Sequence, residues 1–198
     1  GEPCNMRLIH NLSKKYGFKI IEDASHAIGG LYDKEPVGSS KYSDITVFSF
    51  HPVKIITSGE GGAALTNNKN LDQKMKLLRS HGITRDQTLM EHPNTNPWYY
   101  EQIDLGFNYR MTDIHAALGI SQLDRIQDFI TKRHDIANYY DKKFKETNIN
   151  TPYRNPENLS SLHLYVIQVE KSKHEVIFRK LREEGVGVNL HYIPVHTH

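Results

Sequence analysis

The chain has 198 residues, with 25 basic and 23 acidic side chains, a formal net charge of +2 and a hydrophobic fraction of 37%. A charge balance this close to zero, with the basic residues scattered, argues against a nucleic-acid or membrane-surface footprint and favours a globular protein that handles small molecules. The single cysteine, Cys4, excludes an internal disulfide framework and suits a reducing, cytoplasmic setting, and no apolar run reaches the ~20 residues of a membrane-spanning helix.

Residues 3 to 16 place Met6, Ile9 and Leu12 at helical spacing, and Gly17 follows where a left-handed cap would end a helix. FKII, residues 18 to 21, reads as a buried strand of the parallel kind, and the acidic pair Glu22 and Asp23 reads as the polar turn after it. A polar connection over 29 to 43 leads to ITVFSF at 45 to 50, rich in β-branched and aromatic residues, and GAALT at 62 to 66 reads as a third strand. Between those two strands lies a tight excursion, HPVKIITSGEGG, carrying Lys54. A helix follows over 68 to 81, with Asn67 or Asn68 as its N-cap and Gly82 as its stop. The stretch 83 to 107 is long and irregular, and its Trp98, Tyr99 and Tyr100 mark it as ordered rather than disordered.

Thr112 and Asp113 open a long helical pattern that runs to Phe144, with a bend expected near Gly119 or around 124 to 128. Such an element can bridge two domains, and the division expected is 1–124 and 125–198. The last part, HLYVIQV at 163 to 169, a helix over about 173 to 184 ended by Gly185, and GVNLHY at 187 to 192, reads as β–α–β. The whole is an α/β protein. A first residue of glycine and a last run, HYIPVHTH, without a polar tail mark the sequence as a segment of a longer chain.

In sheets of parallel strands ligands bind beyond the strands' carboxyl ends, and the polar residues of this chain gather there. Asp23 and His26 follow the first strand; Ser49, His51 and Lys54 end or follow the second. An aspartate, a serine and a lysine so placed fit pyridoxal 5'-phosphate, which needs a carboxylate for its pyridine nitrogen, hydroxyls and amides for its phosphate, and a lysine for a Schiff base and proton transfer. Each residue also has a plainer reading. Asp23 can simply start a turn, Ser49 can be a satisfied core hydroxyl, the two histidines can be packed or surface imidazoles, and Gly59, Gly61 and Gly62 can serve the backbone alone. The histidines around the chain's end, His191, His196 and His198, lack the cysteine or carboxylate that would complete a closed metal site, so no metal is expected.

EDASHAIGG, FSFHPVKIITSGEGGAALTN and GFNYRMTDIHAALGISQL, three separated motifs in order, resemble the DegT/DnrJ/EryC1/StrS family of pyridoxal-phosphate-dependent nucleotide-sugar aminotransferases. The resemblance is specific over residues 1 to about 125 and looser beyond, through HYIPVH. It implies an aspartate-aminotransferase-like fold (fold type I) and a homodimer with shared active sites. It implies Lys54 as the catalytic Schiff-base lysine, Asp23 at the pyridine nitrogen, His26 at the cofactor's 3-oxygen and Ser49 at its phosphate. Asn108 would reach the phosphate in the neighbouring subunit, and His191 and Tyr192 would lie near the substrate. A lysine at position 54, where the family's sugar 3-dehydratases carry histidine, favours transamination.

The expected substrates are a UDP-linked 4-keto-6-deoxy amino sugar and an amino-acid donor such as glutamate, in surface-glycan or nonulosonic acid synthesis. Amination of another nucleotide 4-keto sugar, of the perosamine or 4-amino-arabinose type, and a non-catalytic fragment are the alternatives. By the same resemblance the chain lacks the N-terminal part of the large domain, with a further phosphate-binding turn and the aromatic residue that stacks on the ring, and lacks the end of the small domain.

Overall fold

The computed structural model describes residues 1–94 and 96–198. Helix α1, Met6–Tyr16, begins at Asn5, whose side chain accepts the amide of Leu8, and ends at Gly17, whose φ of 75° returns its N–H to the carbonyl of Ser13. Only a residue without a side chain takes that conformation at no cost, so the stop is written in the sequence. The first strand, β1, is Ile21–Asp23 and not 18–21. Apolar spacing correctly marks the buried part, Ile20 at 8% exposure, but the ladder starts after it. The Ile20 carbonyl takes the amides of Asp44 and Ile45, and its own amide goes to the Asp44 carboxylate, so pairing carries on through the acidic pair. Asp23 therefore ends the strand by its backbone, while its carboxylate opens the turn that follows.

The 29–43 connection contains a small hairpin, β2 at Leu31–Tyr32 and β3 at Glu35–Pro36, turned by Asp33 and Lys34 with φ of 53° and 64°. Strand β4, Ile45–Ser49, then runs parallel to β1 in the register Ile21↔Ile45, Glu22↔Thr46 and Asp23↔Val47. Strand β5, Gly62–Leu65, pairs with β4 antiparallel, from Thr46↔Leu65 to Ser49↔Gly62. The sheet order is β1-β4-β5, so the parallel arrangement expected from composition holds for one pair only. The connection over 50–61 folds straight back beside β4, whereas a parallel return would need a crossover element.

Helix α2, Lys69–Arg79, is capped by Asn68, which accepts from the amides of Asn70 and Leu71. Its last helical residue is followed by Ser80, and Gly82, at φ 69°, donates back to the carbonyl of Leu77. The stretch expected to be irregular has a framework of its own. Strands β6, Ile83–Thr84, and β7, Glu101–Gln102, pair antiparallel, and the Glu101 carboxylate accepts the amides of Glu91 (2.7 Å) and His92 (2.9 Å) and the hydroxyl of Tyr99 (2.9 Å). One carboxylate thus supplies the acceptors that a loop backbone would otherwise seek in water.

Helices α3, Asp113–Leu123, and α4, Ile126–Phe144, are separated at Asp124 and Arg125, where the bend was expected. Helix α4 sits on the turn after β1. A Cβ on Gly29 would fall 2.4 Å from Ile130 Cδ1 and 2.8 Å from Ile126 Cδ1, so these two isoleucines reach the turn only because residue 29 has no side chain. Leu31 and Leu159 exchange both backbone hydrogen bonds, tying the segment after α4 to the same region.

The expected C-terminal β–α–β is reduced to its helix, α5, His174–Glu183. Residues 163–169 and 187–192 form no strand; the one ladder contact of the first run is between Gln168 and Asn150. β-Branched composition describes side chains suited to a pleated surface, but a strand also needs a neighbour for its amides and carbonyls. Here the two runs flank a cleft of about 460 Å³ lined by Leu164, Val166, Ile177, Phe178 and Leu190. Among the described residues no helix is long and apolar enough to cross a membrane.

Gly82 provides a test of the packing. A Cβ there would lie 1.9 Å from the Asp104 carbonyl oxygen, at positive φ. Gly82→Ala is expected to lower stability by about 2 kcal/mol or more, read as a reduced urea midpoint. Gly185→Ala, at φ 80° with nothing within 4 Å, should cost only about 1 kcal/mol.

Candidate active site

The carboxyl end of β1 delivers Asp23 into a turn held by backbone bonds from Ala27 to the carbonyl of Ala24 and from Gly30 to that of Ala27. Asp23 Oδ1 accepts from the amide of Ser25 at 3.0 Å and from its hydroxyl at 2.5 Å. The hydroxyl bond first, and then the amide bond, hold the carboxyl below its ordinary range, and the charges of His26 and Lys54 add to this. Asp23 is a carboxylate kept ionised in the open.

The carboxyl end of β4 delivers the second piece. Ser49 ends the strand opposite Gly62, and its hydroxyl accepts the amide of His51 at 3.4 Å. Lys54 is half-buried at the head of the loop, its amide bonded to the carbonyl of His51, while Ile55 and Ile56 are driven into the core at 5% and 2% exposure. The loop closes on Phe50. Its carbonyl accepts the Ser58 amide and the Thr57 hydroxyl at 3.0 Å each, and its amide donates to Gly61. The Ser58 hydroxyl, fully buried, donates to the Glu60 carbonyl at 2.8 Å.

Helix α3 backs the loop. Met111, just before the helix, fills the space beside Gly61; a Cβ on Gly59 would reach His115 at 3.5 Å, and one on Gly119 would reach the Ser58 side chain at 3.4 Å. At Gly61, with φ of 154°, a Cβ would fall 2.4 Å from Met111 Cε and 2.5 Å from Ser58 Oγ. Two of the three family-like motifs are therefore one packed unit.

A third piece comes from the far end of the chain. Ser161, fully buried, donates its hydroxyl to the backbone carbonyl of His26 at 3.1 Å, and the ring of His163 packs on that of His26 with centroids 4.2 Å apart. From α4, Arg133 donates to the carbonyls of Leu162 (3.0 Å) and His163 (3.2 Å), and His134 bonds to that of Ser160 (2.8 Å). Burial pushes the His163 imidazole down to about 4, helped by His26, Lys54 and Arg133. Burial also lowers His26, with Lys54 next, while Asp23 opposes. The two rings are uncharged near neutrality, beside an ionised aspartate.

The structure thus sets Asp23 and His26, after the end of β1, beside the loop that carries Lys54 after the paired end of β4, near enough for each to influence the titration of its neighbours. His191 also acts on His26; its exposed ring lies against that of Tyr192, with centroids 4.6 Å apart. Asn108 is exposed, its backbone bridges Ser80 at the end of α2, and the rings of its sequence neighbours Phe107 and Tyr109 stack on each other. Sequence reasoning passed over His163, Ser161, Arg133 and His134. For the last two a signal existed, because two polar residues lie on α4 between the buried Ile130 and Ala137, where an apolar side chain would be ordinary.

The family model for the DegT/DnrJ/EryC1/StrS aminotransferase family matches residues 1–198. The chain belongs to this family. Among curated DegT/DnrJ/EryC1/StrS relatives it is 42% identical over 204 residues to the UDP-4-amino-4,6-dideoxy-N-acetyl-beta-L-altrosamine transaminase of Campylobacter jejuni subsp. jejuni serotype O:2, covering 99% of this chain and 50% of that protein. It is 33% identical over 204 residues to the spore coat polysaccharide biosynthesis protein SpsC of Bacillus subtilis, covering all of this chain and 52% of SpsC.

Among solved structures, Helicobacter pylori PseC, an aminotransferase involved in the biosynthesis of pseudaminic acid, superimposes with a TM-score of 0.89 at 32% identity, over 99% of this chain and 51% of that one. The PLP-form of Spr1654 from Streptococcus pneumoniae superimposes with a TM-score of 0.80 at 29% identity, over 98% of this chain and 52% of its own. The fold is the aspartate-aminotransferase-like type I fold, and the chain spans about half the length of the curated relatives it matches.

His163 sets a pH dependence. Its folded value lies below the ordinary 6.5, so the unfolded chain binds the proton first and stability falls as pH drops from about 6.5 toward 4. With solvent reaching a half-buried ring, the loss is on the order of 1–2 kcal/mol. Urea midpoints measured between pH 7.5 and 4.5 should decline less in His163→Phe than in the parent chain.

Proposed function

We propose that the full-length protein is a pyridoxal-phosphate-dependent aminotransferase acting on a nucleotide sugar, a UDP-linked 4-keto-6-deoxy amino sugar, with an amino acid such as glutamate as donor. One observation supports the reading: the paired ends of β1 and β4 present, at one edge of the sheet, the Asp23 carboxylate, fixed by Ser25, and a loop carrying the half-buried Lys54. The relatives' names supply the substrate class.

The residues present fit the cofactor. A carboxylate held ionised by Ser25 suits a protonated pyridine nitrogen, and a half-buried lysine at the head of a rigid loop suits a carbonyl partner. When bound, the cofactor supplies the electron sink for the carbon bearing the transferred nitrogen. Asp23 would hold the ring nitrogen and His26 the 3-oxygen. Ser49, with the amides of its loop, would hold the phosphate. Lys54 would anchor the cofactor through its amine and, once that amine is free, carry the proton at the reacting carbon. Burial keeps the His26 imidazole neutral, so it meets an anionic oxygen as an N–H donor without adding a second cation beside Lys54.

In this reading residues 1–124 are the carboxyl-terminal portion of the large cofactor-binding domain and 125–198 belong to the small domain. The protein works as a cytoplasmic homodimer with shared active sites. Asn108, exposed beside the end of α2, would serve the phosphate site of a second copy, and His191 with Tyr192 would lie at the sugar.

The test is made on the full-length protein with pyridoxal phosphate. The parent should show the visible band of a lysine-linked cofactor and aminate a UDP-4-keto sugar. Lys54→Ala should lose that band and at least ~10³-fold in turnover. An unchanged band in Lys54→Ala would overturn the assignment.

A further inference from the structure

Three residues outside the strand-end group converge on His26. The His163 ring covers it with centroids 4.2 Å apart and planes inclined by 50°. The Ser161 hydroxyl fixes its backbone carbonyl, and Arg133 fixes the carbonyl of His163 itself. The segment that presents His163 is held at each residue. Ser160 takes His134 through its carbonyl and the Leu162 amide through its hydroxyl, at 3.2 Å; Leu162 adopts φ 49° and its carbonyl is taken by Arg133. A non-glycine residue held in the left-handed region costs about 1–3 kcal/mol and persists only where its surroundings impose it. Buried Nδ1 of His163 has no hydrogen-bond partner, so no bond of its own locks the ring; α4 and the packing against His26 set its place.

We propose that His163 is a positioning residue for His26: its ring, fixed from α4, covers one face of the His26 imidazole and sets the orientation and hydration of that imidazole beside Asp23 and Lys54. The role of His26 toward the cofactor rests on the function proposed above; the contact between the two rings does not. The charged and titratable side chains acting on the pair are Asp23 from the end of β1, Lys54 from the β4–β5 loop, Arg133 from α4 and His191 from the C-terminal segment.

Two measurements on the full-length protein decide it. In the first, the cofactor-free protein is labelled with ¹⁵N-histidine and the His26 resonances are followed with pH. His163→Ala uncovers the ring, and the His26 midpoint should move up toward that of an exposed imidazole. His163→Phe keeps a flat ring of similar size and should leave the midpoint close to the parent's. Should the alanine protein not fold, His163→Asn leaves the same face uncovered and carries the same test.

An unchanged His26 midpoint in the uncovered variant overturns the proposal, as does an equal upward move with phenylalanine, since ring packing would then not be the cause. In the second measurement, the pH at which the visible band of the bound cofactor changes should shift with His163→Ala and not with His163→Phe. A parent protein that shows no band defeats the cofactor reading, while the first measurement still decides the role of His163.

Discussion

The pairing of Asp23 with Val47 is the constraint on which the site depends. Parallel register sets how far the end of β1 stands from the end of β4, and with it the separation of the Asp23 turn from the Ser49–Lys54 loop. Side chains alternate along a strand, so a slip of one residue would send Asp23 to the opposite face and replace it with an alanine or a glutamate. The register is pinned at its start by Asp44, which accepts the amide of Ile20, and at its end by the Ala24 amide, which donates to Val47. Neither anchor belongs to the candidate site. Both determine where the residues of that site stand.

The second support is a strap. Residues 158–163 lie over the turn after β1, and they are held there by α4 and by the bridge of Leu159 to Leu31, outside the three-stranded sheet. Their buried serines do what buried hydroxyls must, finding partners on the backbone: Ser161 on His26, Ser160 on Leu162. Two imidazoles in contact would repel if both were charged. Burial keeps them neutral, and the contact is thereby compatible with an ionised Asp23 and a nearby lysine.

The local parts were the legible ones. Caps at Gly17, Asn68 and Thr112, the break near Asp124, and the loop around Lys54 are each specified by a few adjacent residues whose conformational preferences agree. Strand ends were misplaced where pairing and not hydrophobicity set them, as at Glu22 and Asp23. The runs at 163–169 and 187–192 have strand composition and no ladder partner, a condition that no property of the runs themselves encodes. The candidate site is legible only in part for the same reason. Asp23, His26, Ser49 and Lys54 sit in short motifs, whereas His163 joins them only through α4, and its local surroundings resemble an ordinary strand.

The hairpin that holds Lys54 has a consequence for the order of folding. Strands β4 and β5 are joined by residues 50–61 alone, so the loop forms from contacts that close little chain and cost little entropy. The contact of His26 with His163 closes a far longer loop and gains nothing until α4 is in place. Lys54 is therefore set in its loop early in the life of the polypeptide, and the neighbours that shield His26 arrive later, after residue 163 has been synthesised.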